Sequence, residues 1–99
     1  MNTFAWDIAK AIANFEKHGV PFEEAATVFG DPDGMDGVDA AHSTHEHRRQ
    51  RIGQSVTGRI LFVVYTVRRI AHEKKTTLRI ISARQASRRE REAYAGFRD

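Results

Sequence analysis

Ninety-nine residues are enough for one domain and too few for two, so a single core spanning residues 1–99 is expected. With 40% hydrophobic and 29% charged residues the chain is not disordered by composition, and no apolar run approaches the roughly 18 residues of a membrane-spanning helix, so a soluble protein with no membrane partner is expected. The net charge of +3 conceals a split, because residues 1–46 hold two lysines against nine acids and residues 47–99 hold fourteen Lys and Arg against four acids. The basic excess is mostly arginine, twelve residues from Arg48 to Arg98, and a planar guanidinium suits phosphate. There is no cysteine for a disulfide framework, and the opening MNTFAWDIAK lacks a basic leader followed by an apolar stretch. A cytoplasmic location is the expectation.

Ile8, Ala11, Ile12 and Phe15 recur at i, i+3, i+4 and i+7 behind Asp7 as N-cap, and Gly19 follows, which predicts a first helix. Phe22, Ala25, Ala26 and Phe29 repeat the spacing, with Glu23 and Glu24 in the first turn and Gly30 as a stop. The two together read as a helical hairpin. Residues 31–41 are acidic and rich in Gly and Pro, a loop with room for one short strand.

From His47 the period becomes that of strands: HRRQRIGQSV, a turn at Thr57-Gly58, then RILFVVYTV, which should be the centre of the sheet. A loop, RRIAHEKK, leads to TTLRIIS, where alternation puts Leu78, Ile80 and Ser82 on one face and Arg79 and Ile81 on the other. Short connections favour antiparallel pairing. Ser87 and Glu90 form a capping box, and Tyr94 with Phe97 give the last helix an apolar stripe. The fold class is α+β: an N-terminal helical hairpin, an antiparallel sheet of three to four strands and a C-terminal helix.

Arg88 and Arg89 open that last helix, where the dipole disfavours cations. Either Arg88 forms a surface pair with Glu92 at i, i+4, or it meets a phosphate at the helix start. Lys17-His18-Gly19 ends the first helix, and cations there suit the dipole without further role. The run HSTHEH, with His42, His45, Glu46 and His47, lacks the i, i+4 spacing of a helical zinc site and is read as a polar loop, so no metal and no cofactor are expected. No GxSxG, Walker loop or GxGxxG appears, and the usual signatures of covalent hydrolases, nucleotide-triphosphate enzymes and dinucleotide enzymes are absent. What remains suits RNA. Its 2′-hydroxyl is an internal nucleophile, so a protein that orients the backbone and stabilises the pentacoordinate charge accelerates cleavage without a metal. A non-catalytic module that grips nucleic acid or a partner protein with the same basic half is the rival reading.

FAWDIAKAIANFEKHGVPFEEAATVFGDP, then HS, IGQS, GRILFVVYT and RIISARQASRRERE together resemble the BrnT-type toxins of bacterial type II toxin–antitoxin modules, from about Phe4 to Tyr94. The resemblance implies a RelE-like fold, a ribonuclease that slows translation and growth, and neutralisation by a BrnA-type antitoxin with a ribbon-helix-helix DNA-binding domain. Promoter DNA would be bound only through that antitoxin. The family's motif residues fall on Lys17, His18, Arg48, Arg79, Ser82, Arg84 and Arg88. Under this reading Arg79, Arg84 and Arg88 bind phosphate and stabilise transition-state charge, Arg48 and Ser82 contact RNA, and His18 or Lys17 assists proton transfer, unless KHG only caps the helix. The substrate would be single-stranded or ribosome-presented RNA. Two departures from the family pattern stand out: Arg49-Gln50-Arg51 replaces an apolar run before IG, which suggests an exposed edge strand or a changed RNA-facing surface, and the loop after Val67 is longer than usual.

Overall fold

A computed structural model describes residues 2–39, 47–69, 72 and 75–98. The elements are β1 (Asn2–Ala5), α1 (Ile8–His18), α2 (Phe22–Thr27) running into a 3₁₀ turn (Val28–Gly30), β2 (Met35–Val38), β3 (Arg48–Gln54), β4 (Ile60–Arg69), β5 (Thr76–Gln85) and α3 (Arg88–Arg98). Five strands lie in the order β1-β5-β4-β3-β2. β4 is therefore central, as its β-branched and aromatic run implies.

The expected sheet of three to four antiparallel strands is corrected to a mixed sheet of five. β1 joins β5 in parallel, Phe4 opposite Leu78, and β2 joins β3 antiparallel, Asp36 opposite Arg51. β2 is the short strand for which residues 31–41 left room, whereas β1, with only four residues, is too short for a period of two to register and is the strand the sequence did not show. β3 is consequently not an edge, and Arg51 has an interior task. Its guanidinium donates to the carbonyls of Val28 and Asp31, pairs with Asp36 and lies over the Phe29 ring, so it ties the 3₁₀ turn to the sheet.

The helical hairpin is also corrected, since α1 and α2 each pack chiefly on β5 rather than on one another. Asp7 caps α1 by accepting from the Lys10 amide, and Gly19 ends it in the left-handed region at φ 69°, where a Cβ would be strained. Most of the apolar stripe of α1 faces solvent: Ile8, Ile12 and Phe15 are exposed, Ala11 packs on the core, and the buried residue of α1 is Asn14. The reason lies beyond the end of β1, where β5 continues without a strand beside it. Asn14 fills that place, donating to the Ala83 carbonyl at 2.8 Å and accepting from the Ala83 amide at 3.0 Å.

The core lies between α2 with the 3₁₀ turn and one face of the sheet. Val20, Phe22, Ala25 and Val28 pack on Leu61, Val63, Ile80 and Ala83, all nearly inaccessible. Gly53 sits where a Cβ would come within 3.2 Å of both the Val28 side chain and its carbonyl, which accounts for the small residue in IGQS. Glu24 fastens α2 to the β3–β4 turn, accepting from Arg59, Ser55 and Thr57. The Arg59 hydrogen bond, opposed by burial and helped by the two hydroxyls, lowers its pKa to about 2.

α3 begins with the expected capping box: the Glu90 amide donates to Ser87 Oγ, and the Ser87 amide to Glu90 Oε1. Tyr94 is buried and its hydroxyl donates to Asp31. The Phe97 side chain, and His42, His45 and Glu46 of the HSTHEH run, lie outside the described residues, as do residues 70, 71, 73 and 74 of the loop after Val67, whose first two residues, Arg68 and Arg69, belong to β4.

Candidate RNA-binding face

One irregularity decides what the other face of the sheet displays. Between β4 and β5 the register shifts, so that Tyr65 opposes Ile80 while Val64 opposes Ser82, and Ile81 has no residue directly across from it. Strict alternation would leave Ser82 beside Ile80. The bulge instead turns Ala83 into the core and carries Ser82 and Arg84 to the face that Arg79 already occupies. Cross-strand partners place Arg48, Phe62, Val64 and Thr66 on this same face, away from α2. Four of the sequence-derived candidates, Arg48, Arg79, Ser82 and Arg84, thus share one surface.

Their environments differ. Arg84 is committed: it forms a two-pronged pair with Glu90 at 2.7 and 2.9 Å, and its guanidinium lies 4.3 Å from the Phe62 ring centre. The Arg84 hydrogen bond lowers the Glu90 pKa, and the same bond raises that of Arg84. Arg79 is exposed, and its side chain forms no hydrogen bond or ion pair with another described residue. It lines a polar cleft of about 350 Å³ with Lys10, Thr66, Arg68, Thr77 and Ile81.

Lys10 reaches this cleft from α1, and Lys17 follows it by about two turns, within about 20° on the helix surface. Lys17 therefore projects from the same flank of α1 as Lys10. His18 is turned by a further ~100°, towards the side on which Ala11 and Asn14 pack, and is half-buried. The KHG motif is divided, its lysine towards the basic face and its histidine towards the packing face. Sequence reasoning missed Lys10 and Arg68. The first was legible as a residue seven before Lys17, whereas the second required the pairing of Arg68 with Thr77.

Arg88 is not part of this group. It lies ~160° round α3 from Glu90, which faces Arg84, and pairs with Glu92 at 3.2 Å with both side chains largely exposed.

A second basic surface lies on the helix side of the sheet, past the end of the helical layer. Arg49, Arg51, Arg69, His47, Tyr65 and Asp36 line a cleft of about 760 Å³. Tyr65 is buried and donates to Asp36, and burial foremost, with the Asp36 hydrogen bond second, pushes its hydroxyl up to about 12. Among the described residues no group of three or more His, Cys, Asp or Glu is placed to hold a metal ion, and no helix is long and apolar enough to cross a membrane.

Residues 6–90 match the family model described as the ribonuclease toxin, BrnT, of type II toxin–antitoxin systems. Among solved structures, the chain is similar to the 1.1 Å crystal structure of the Brucella abortus ribonuclease toxin BrnT, with 24% sequence identity over 89% of this chain and 99% of that one and a TM-score of 0.58. No curated protein matches the chain. The shared fold and the family match, which takes in α1, α2, the sheet from β2 to β5 and the start of α3, agree with the resemblance carried by the motifs: the chain belongs to the BrnT family of ribonuclease toxins of type II toxin–antitoxin systems.

Proposed function

We propose that the chain is a metal-independent endoribonuclease whose substrate lies along the face bearing Arg79. The observation that carries this reading is the cleft in which Arg79, whose side chain no other described residue partners, stands among Lys10, Arg68 and Thr77. Three cations around one cleft, with Lys17 further along α1, form a track for a phosphate chain, and the half-buried side chains of Phe62, Val64 and Ile81 give bases an apolar surface beside it. Arg79 and Arg68 stabilise the charge that builds on the phosphorane when the 2′-hydroxyl attacks. Arg84, clamped by Glu90 and stacked on Phe62, holds the floor of the face and offers its outer edge to phosphate, with Ser82 beside it and Arg48 further across the sheet. His18 serves the end of α1 rather than the reaction.

A second placement is favoured by one observation, the size of the cleft around Arg49, Arg69 and His47 and the presence of an imidazole there. The two lie on opposite faces of the sheet, so single variants separate them.

In the cell the activity would slow translation and growth, and a BrnA-type antitoxin with a ribbon-helix-helix domain would neutralise it and carry the complex to promoter DNA. An acidic segment of that antitoxin suits the arginine face. The decisive experiment is RNA cleavage by purified protein in excess EDTA, with the product ends analysed. Cleavage leaving 2′,3′-cyclic phosphate is expected; loss of cleavage on chelation, restored by Zn²⁺ or Mg²⁺, rejects the mechanism.

A further inference from the structure

Three members of the apolar stripe of α1, Ile8, Ile12 and Phe15, are left exposed by the described residues. Ile8 is 73%, Ile12 55% and Phe15 47% exposed, and with Trp6, Pro21 and Phe22 they line a groove of about 640 Å³. Contiguous apolar surface of this kind marks an interaction site. Its spacing is that of a helix ridge, and a partner helix seats its own ridge in such a groove. Glu16 and Glu23 stand at the rim. Lys10 and Lys17 lie about 180° round α1 from the stripe, so the charge facing an incoming chain here is negative.

We propose that this groove seats the antitoxin, through an amphipathic helix with aliphatic side chains at i, i+3 or i+4, and i+7, and with Lys or Arg on its flanks. The inference rests on the toxin–antitoxin reading, which supplies a protein partner. A second copy of this chain fits poorly, because two-fold packing of the stripe on itself sets the glutamate rims against each other. The groove also stands apart from the cationic track. Docking on α1 therefore supplies affinity, and a tethered acidic segment then covers the arginines at high effective concentration. Anchor and inhibitory element are separate.

The test uses the full chain, the antitoxin encoded beside it, and the double variant Ile12→Asp/Phe15→Asp. Both positions are exposed, so the variant is expected to melt as wild type does, to cleave RNA and to arrest growth, while co-expressed antitoxin no longer restores growth. Titration should show affinity weakened by about thirtyfold or more, the scale of a lost interface anchor. A second variant, Glu16→Lys/Glu23→Lys, should weaken binding in a salt-dependent way. Full rescue of the double variant with unchanged affinity overturns the proposal. So does a wild-type dimer in sedimentation that the double variant dissolves without loss of antitoxin affinity, which would assign the groove to a second copy. If wild type neither cleaves RNA nor arrests growth, the ribonuclease reading fails, and the titration still decides the docking site.

Discussion

Asn14 stands in for a strand at Ala83. Its carboxamide returns both hydrogen bonds that a neighbouring residue would make to the free edge of β5, and its amide group also donates to the Val20 carbonyl. Asn14→Ala leaves the amide and carbonyl of Ala83 buried without partners, and unfolding in urea should show a loss of about 2–4 kcal/mol. Cleavage per folded molecule should be unchanged, since Asn14 points away from the basic face.

Arg79→Ala removes a charge that no other described residue uses. Stability should stay within about 0.5 kcal/mol of wild type, while RNA cleavage drops tenfold or more, a lost charged contact being worth about 1.5 to 3 kcal/mol. Arg49→Ala, on the opposite face, should cleave normally. The reverse pattern, a silent Arg79→Ala with an inactive Arg49→Ala, would transfer the reaction to the larger cleft.

Arg88 poses the contrast. Its exposed i, i+4 pair with Glu92 is worth a few tenths of a kcal/mol, a gain partly offset by the helix dipole. Arg88→Ala and Arg89→Ala should therefore melt alike, and both should retain most of the cleavage rate. A tenfold loss confined to Arg88→Ala would show that the start of α3 meets a phosphate after all.

Glu24 makes stability pH-dependent in the acid range. Its carboxyl titrates at about 2 in the folded protein and near 4.5 when unfolded, so the unfolded chain binds the proton first as pH falls. The contribution is complete above pH 4.5 and is lost as pH falls towards 2. With Arg59 partly open to solvent, about 1–3 kcal/mol is expected. Glu24→Gln should be less stable than wild type at pH 7 by that amount, and thermal melts of the two should converge towards pH 2.5.

Local chemistry decided what the sequence could reveal. The Asp7 and Gly19 caps, the Ser87–Glu90 box and the central position of β4 depend on neighbours in the chain or on one unbroken apolar run, and all of them stand in the fold. The family, too, was legible, because motif order and spacing are properties of the chain. Three features were not. The side of α1 that packs was set by the free edge of β5, which needs Asn14 more than it needs Ile12. The face that Ser82 joins was set by a register shift against β4, invisible in the period of β5 alone. The company Arg79 keeps came from two other elements, Lys10 on α1 and Arg68 on β4. Periodicity reports that a segment has two faces, but which face is buried, and which charges meet across strands, depends on partners distant in sequence, and only tertiary pairing chooses them.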